Sequence, residues 1–321
     1  MGRLVTILLI LCLSLVPVSV NAKTATSGTD DNGNIWTYNK NTKTLTFTGT
    51  KDISDFEMDG HCPEPSWYSW SKEAEHIEIE EGITGIGKSA FSNFMNVISV
   101  KIPESVVILR RSCFSNNNFE NIELPDSIKS IEDYAFSGCY RLKFIELPEG
   151  ISYMGSFEFC KALRNIYIPS SIKKLGRGMF IGCESIIDIK LPPDLKIIKA
   201  FDFADCIRLK RIDIPDKVTC VYMSAFAGTG LKKIILPENV TIIKNGDYGQ
   251  EVFKYKKRVG YPTKKLRVIE IHSKKLKSIQ KNSFSGLSSK VVIKVPKLKK
   301  KKYTKMLRGS GLSKKVKIKT L

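Results

Sequence analysis

Short bursts of alternating hydrophobic and polar residues, each ending at a proline, run along most of the chain: "VKIPESVVIL", "IELPDSIKSI", "IELPEGISYM", "IYIPSSIKKL", "IKLPPDLKII", "IDIPDKVTCV" and "IILPENVTII". In Ile145-Glu146-Leu147 the outer residues point one way and Glu146 the other, as a strand requires. Proline then ends the strand, because it lacks the N–H that a parallel ladder uses. Apolar residues three and six positions later, such as Ile128 and Ile131 or Val240 and Ile243, point back inward, and an Ala-Phe or Ser-Phe segment closes the coil. The prolines at 103, 125, 148, 169, 192, 215 and 237 are spaced 22, 23, 21, 23, 23 and 22 residues apart. Glu80 takes the proline place one unit earlier; His272, Pro296 and Lys319 take it in later units. A phenylalanine recurs about twelve residues before the next proline (Phe91, Phe114, Phe136, Phe157, Phe180, Phe203, Phe226, Phe284), and Cys139, Cys160, Cys183 and Cys206 stand nine before it. A unit of this size cannot bury its apolar face alone, but stacked units share a core in which like sits on like. The pattern predicts a curved solenoid with a single parallel β-sheet along its length, one short strand per 21–24-residue coil, and turns and short helical segments on the return.

The recurring Ile-x-Leu-Pro, Val/Ile-x-x-Ile and Ala-Phe-x-x-Cys pattern resembles the BspA-like class of bacterial leucine-rich repeat proteins over residues 73–321. The resemblance implies a leucine-rich repeat solenoid over 73–296. Residues 23–72, with "IWTYNKNTKTLTFTGTKDISDF" and "PSWYSW", look like the β-hairpin and aromatic cap that precede such repeats, and 297–321 look like a basic closing unit. It also implies an exported or surface-displayed protein associated with adhesion to host matrix proteins and other cells, with no ligand assigned to any residue. One departure stands out: Pro237 and His272 are 35 residues apart, so an insertion near 245–265 emerges as a loop, either a binding loop or a tolerated one.

Composition adds location and charge. Residues 1–22 combine Arg3, an apolar run and Val20 and Ala22 at the −3 and −1 positions, the pattern of a cleaved secretory signal. The expected location is therefore secreted or cell-surface. No second segment is apolar enough to span a bilayer, and no LPxTG-like sorting motif is present. The formal net charge of +20 is unevenly placed. Residues 251–321 hold 24 Lys and Arg against two acids, whereas the first 250 hold 28 against 30. A short amphipathic helix is expected in "KLKKKKYTKMLRG", with Leu298, Met306 and Leu307 covering the last coil.

Catalytic chemistry has little support. The three histidines are His61 in the cap and His76 and His272 in distant strands, and no phosphate-binding glycine motif is present, so the chain is expected not to be an enzyme and to need no cofactor. Cysteines 21 and 23 residues apart form a line rather than a convergent zinc site, so Cys139, Cys160, Cys183 and Cys206 read as a packing ladder and no metal is expected. Cys220, between the inward Val218 and Val221, is expected to be the exposed thiol. The outward strand residues are the better binding candidates. Phe144, Glu146, Tyr167, Asp188 and Arg211 form a candidate contact for a protein or glycan on host or neighbouring cells, against the alternative of scattered exposed residues. Lys297, Lys299, Lys300, Lys301, Lys302, Lys305 and Arg308 are candidates for an anionic wall polymer or glycosaminoglycan, against a solvated cap; nothing recommends sequence-specific nucleic-acid readout. Two functions follow: an adhesin-like binding protein, or a structural envelope component held by charge.

Overall fold

The structure, a computed structural model, describes residues 25–56, 64–176, 178–246 and 265–321. Residues 1–22, Cys62 and most of the 245–265 insertion lie outside these. Strands β1 (Ser27–Thr29), β2 (Ile35–Asn39) and β3 (Thr44–Thr48) form an antiparallel meander, and β3 pairs in parallel with β4 (His76–Ile79) to start the solenoid. A 3-10 turn over Ser66–Trp70 closes this end. There Trp70 stacks on Tyr38 at 4.1 Å, Trp67 meets Phe47 edge-on at 5.3 Å, and the Trp67 indole N–H donates to the Ala90 carbonyl. The first coil is thus covered by aromatic surface.

The repeats then stack in parallel. The strand before each proline forms a first ladder: Ser99–Lys101 on His76–Ile79, Phe144–Ile145 on Asn121–Ile122, a bridge between Tyr167 and Lys190, and Val268–Ile271 between Lys233–Leu236 and Val292–Val295. Each proline carbonyl accepts from the N–H three residues on, for example Ile128 N to Pro125 O at 3.2 Å and Val218 N to Pro215 O at 3.0 Å. That turn starts a second run of extended chain.

Here the structure corrects the expected single sheet. The segment after the turn builds a second parallel ladder, with Gly85–Ile86, Ile108–Leu109, Ser130–Ile131 and Tyr153–Met154 in one stretch and Ile197–Ile198, Cys220–Tyr222, Ile242–Lys244 and Ser278–Ile279 in another. Extended backbone must bond somewhere, and a near-constant period sets identical segments of successive coils in register. Along the return, the N–H of Phe91, Phe114, Phe157, Phe180 and Phe203 each bonds the next coil, as in Phe157 N to Met179 O at 2.7 Å. The return takes tight turns at left-handed residues: Asn93, Asn116, Gly138, Gly182, Asp205 and Gly228 occupy one place with φ between 58° and 72°, and Phe159 holds the same place at 61° as the exception in residue type. Glycine, Asn and Asp are the residues that tolerate this conformation.

The core is one long cluster, with a small second one at Ile181, Ala200, Phe201, Ala204 and Ala227. Its axis is a stack of seven rings, Phe91, Phe114, Phe136, Phe157, Phe180, Phe203 and Phe226, with successive centroids 5.6–6.2 Å apart. The C-terminal end is closed by helix α1 (Lys300–Gly309), which buries Tyr303 and Leu307 on one face, while Met306 packs at its edge. The Tyr303 hydroxyl donates to the Ser273 carbonyl at 3.1 Å and accepts from the Leu276 N–H at 3.0 Å. Leu298 is 93% exposed, contrary to expectation, because it lies in the 3-10 turn before the helix and Tyr303 fills its place. The last strand also sits in another register than expected: Lys319 pairs with Lys294 and Thr320 with Val295, so Leu321, not Lys319, follows in the place of Pro296. The helix lengthens that unit. Among the described residues no helix is long and apolar enough to cross a membrane.

Candidate binding surfaces

The cysteine line is interior. Cys139, Cys160, Cys183 and Cys206 are fully buried, and their thiols donate to the carbonyls of Phe114, Phe136, Phe157 and Phe180 one coil earlier at 3.2, 3.1, 3.0 and 3.2 Å. Asn117 does the same one coil before them, its amide 2.8 Å from the Phe91 carbonyl, a role the sequence reading missed because the residue type differs. Burial pushes the Cys139 thiol up to about 12 and the other three upward as well. The ladder therefore locks ring to ring by satisfying carbonyls in the core. Cys113, also fully buried, takes the alanine place of Ala-Phe. Cys220 is not the exposed thiol expected: it is 8% exposed, in register between Ile197 and Ile242, whose larger side chains shadow it. Native protein treated with iodoacetamide at mildly alkaline pH should leave Cys113, Cys139, Cys160, Cys183 and Cys206 unmodified and label them all in urea. Native labelling of any of the five, read by peptide mass mapping, would contradict this packing.

The outward face of the first ladder holds the candidate contact residues in two parts. Phe144 and Tyr167 are 48% and 50% exposed on adjacent coils, and Glu146 is exposed beside them. The Glu149 carboxylate raises the Tyr167 phenol by its charge and a hydrogen bond. Asp188 and Arg211 lie farther along and bind each other, Nη2 to Oδ2 at 2.8 Å, which lowers the Asp188 carboxyl. They are a self-satisfied pair on the same face, and both remain exposed. Phe144 also borders a feature that sequence spacing did not reveal. Its strand pairs with Asn121–Ile122, and between that strand and Ser99–Lys101 opens a groove of about 530 Å³ lined by Asn118, Asn121, Glu123 and Arg141. Glu120 at its rim is held by Arg141 at 2.7 Å and Lys143 at 2.5 Å, which lowers its carboxyl.

On the same face, Glu270 is withdrawn from solvent. It is 8% exposed, and its carboxylate binds Lys233 at 2.9 Å, Lys294 at 3.1 Å and His272 at 3.2 Å. Burial works against its charge, but the three bonds prevail and hold the carboxyl at about 2. The register that stacks Ile235, Glu270 and Lys294 explains the hub.

At the basic end, Lys297, Lys300, Lys301, Lys302 and Lys305 are exposed and Lys299 is half-buried. Arg308 differs: its guanidinium donates to the carbonyls of Ser313 and, at 2.8 Å, Val316, fixing the turn after α1. The first turn of α1 carries three lysines and no acid. Cations there oppose the helix dipole, so this arrangement is unfavourable for a helix whose only task is to cap.

One histidine does meet a hydroxyl: His76 Nδ1 lies 2.7 Å from Ser99 Oγ across the first ladder. Ser99 is exposed on the strand face, and no acid orients the other ring nitrogen among the described hydrogen bonds. A triad requires that third group.

Short parallel strands stacked coil on coil, each ended by a proline turn and wound around a phenylalanine stack, define a leucine-rich repeat solenoid. Six copies of the model described as "BspA type Leucine rich repeat region" match residues 64–186 and 153–260, and the chain belongs to that family. Among solved structures, a leucine-rich repeat protein from Bacteroides ovatus is 25% identical, with a TM-score of 0.63 over 89% of this chain and 77% of that one. One from Eubacterium ventriosum, 19% identical with a TM-score of 0.52 over 82% and 76% of the two chains, shares the fold. No curated protein matches significantly.

Proposed function

We propose that the chain is an exported, non-enzymatic binding protein that contacts a protein or glycan through the outward face of the first ladder and an acidic polymer through its basic end. The observation that carries this reading is the exposure of Phe144 and Tyr167 on adjacent coils of a rigid sheet face beside a groove, in a molecule whose phenylalanine spine is stacked inside; Tyr140 and Tyr153 are also exposed but lie off that ladder. Aromatic residues held on rigid elements supply contact area at low conformational cost, and a few such residues carry most of the energy of an interface. The secretory pattern of residues 1–22 supports export. The lysines opposing the dipole of α1 support the charged contact, and they equally favour a second reading, a structural component held to anionic wall polymers by charge alone.

A screen against immobilised matrix proteins and glycans at low and high salt separates the two. Binding through the sheet face should survive salt and weaken in Phe144→Ala/Tyr167→Ala by roughly thirtyfold, the effect of losing about 2 kcal/mol at an interface centre. Charge-held binding should vanish with salt and in Lys300→Ser/Lys301→Ser/Lys302→Ser/Lys305→Ser. Substitution is preferable to truncation, because removing α1 would uncover the core that Tyr303 and Leu307 close. If the aromatic variant binds every partner as the parent does, the sheet-face reading fails.

A further inference from the structure

The second ladder is interrupted once. Tyr153–Met154 ends one stretch and Ile197–Ile198 begins the next, and residues 172–176 between them form no strand. At the interruption the Lys199 ammonium donates to the Leu175 carbonyl at 2.7 Å, filling a place that backbone would fill in a continuous ladder. The opening is a groove of about 460 Å³ whose charged lining is Lys173, Lys174, Lys196, Lys199, Lys217 and a single acid, Asp194. Asp194 is bound by Lys217, and its carboxyl is lowered chiefly by that bond, with Lys173 and Lys196 adding to the effect. Lys199 is committed to Leu175. Lys173, Lys174 and Lys196 remain exposed and have no ion-pair partner among the described residues. Lys173 and Lys196 both stand four residues after a proline on adjacent coils, at the interruption. Like charges lining one groove repel in the free protein, and a bound anion relieves the repulsion.

We propose that this groove is a binding site for an acidic polysaccharide bearing sulfate or carboxylate groups. It lies on the second ladder, distinct from both the aromatic face and α1, and does not rest on either. Three free ammonium groups beside an exposed Ile197 floor and lysine stems match a chain of sugar rings, which presents apolar C–H faces between regularly spaced anions. No aromatic ring lines the groove among the described residues, so a nucleic acid would find nothing on which to stack its bases. The Leu175 carbonyl, the acceptor that an added peptide strand would use, is already taken by Lys199.

The test uses the whole chain with Lys300→Ser/Lys301→Ser/Lys302→Ser/Lys305→Ser as background, so that the basic end cannot contribute. Heparin oligosaccharides, single-stranded DNA and poly-glutamate serve as probes in titrations over a range of salt. The proposal expects this background to bind heparin more tightly than the other two probes. Adding Lys173→Ser/Lys174→Ser/Lys196→Ser should weaken heparin binding at least tenfold and flatten the dependence of log affinity on log salt by about two to three. The same triple change should leave the melting temperature equal or higher, because it removes a repulsion, and this distinguishes lost binding from lost folding. No heparin binding in the background, unchanged binding in the triple variant, a lowered melting temperature accounting for the loss, or equal binding of DNA or poly-glutamate would each overturn the proposal. Failure here leaves the sheet-face reading standing, since that is scored on Phe144 and Tyr167.

Discussion

Replacing Phe157 by alanine should destabilise the protein by about 3–5 kcal/mol, the range for deleting a fully buried aromatic side chain. Phe157 is completely buried and stacks on Phe136 at 5.6 Å and on Phe180 at 6.2 Å. Its N–H bonds the Met179 carbonyl, and its own carbonyl accepts the Cys183 thiol. A cavity opened between two rings cannot collapse easily, because both neighbours are fixed by the bonds of their own coils. In a solenoid, stability is close to a sum of coil terms and nearest-neighbour interfaces, so one weakened interface divides the array. The three tryptophans, Trp36, Trp67 and Trp70, all lie in the N-terminal cap. Tryptophan fluorescence therefore follows that end, while circular dichroism follows every coil. In urea the two signals should coincide for the parent and separate in Phe157→Ala. A loss under about 1 kcal/mol with coincident transitions would show that the ring stack is not what couples the two halves.

Acid should weaken the C-terminal half through Glu270. Its carboxyl is held at about 2 against an ordinary 4.5. The folded value lies below the unfolded one, so the unfolded chain binds more protons between these values and stability falls as pH falls. The contribution is fully present above about pH 5 and lost progressively as the pH drops through 4.5 toward 2. A shift of this size corresponds to a ceiling of roughly 3 kcal/mol. The partly exposed lysine partners keep the realised value below it. Glu270→Gln should be less stable than the parent at pH 6, and the two should converge by about pH 2. Comparing the pair also removes Asp202, a fully buried carboxyl that burial pushes up to about 8 and whose pH dependence has the opposite sign. A constant gap from pH 6 to pH 2 would rule Glu270 out as the titrating group.

Most of the fold was legible because it is periodic. The prolines, the Phe91-to-Phe226 series and the cysteine line each recur at coil spacing, and residues so spaced can share a core only by stacking. The reading failed where the neighbour across the coils decides the outcome. Cys220 was assigned to the surface from its in-chain neighbours Val218 and Val221, yet Ile197 and Ile242 cover it from either side. Alternation points Glu270 outward, but Lys233, His272 and Lys294 on its own and adjoining coils close around it. Leu298 is expected to cover the last coil as part of an amphipathic helix, but α1 starts only at Lys300 and leaves it outside. Of the candidate contact residues, Phe144, Glu146 and Tyr167 keep the exposure that alternation predicts, while Arg308 is drawn into the turn after α1.

The sequence by itself determined the solenoid, the length of its coils, the aromatic spine and which strand residues face outward, because each follows from alternation and period within a single coil. Only the tertiary structure decided that the coils carry two ladders and where each is interrupted. Those interruptions open a groove beside Phe144 and gather Lys173, Lys174, Lys196, Lys199 and Lys217 around another, in a part of the chain whose charges sum to nearly zero. A linear charge count averages along the chain, whereas the field at a site depends on which side chains of successive coils lie within a few ångströms of one another.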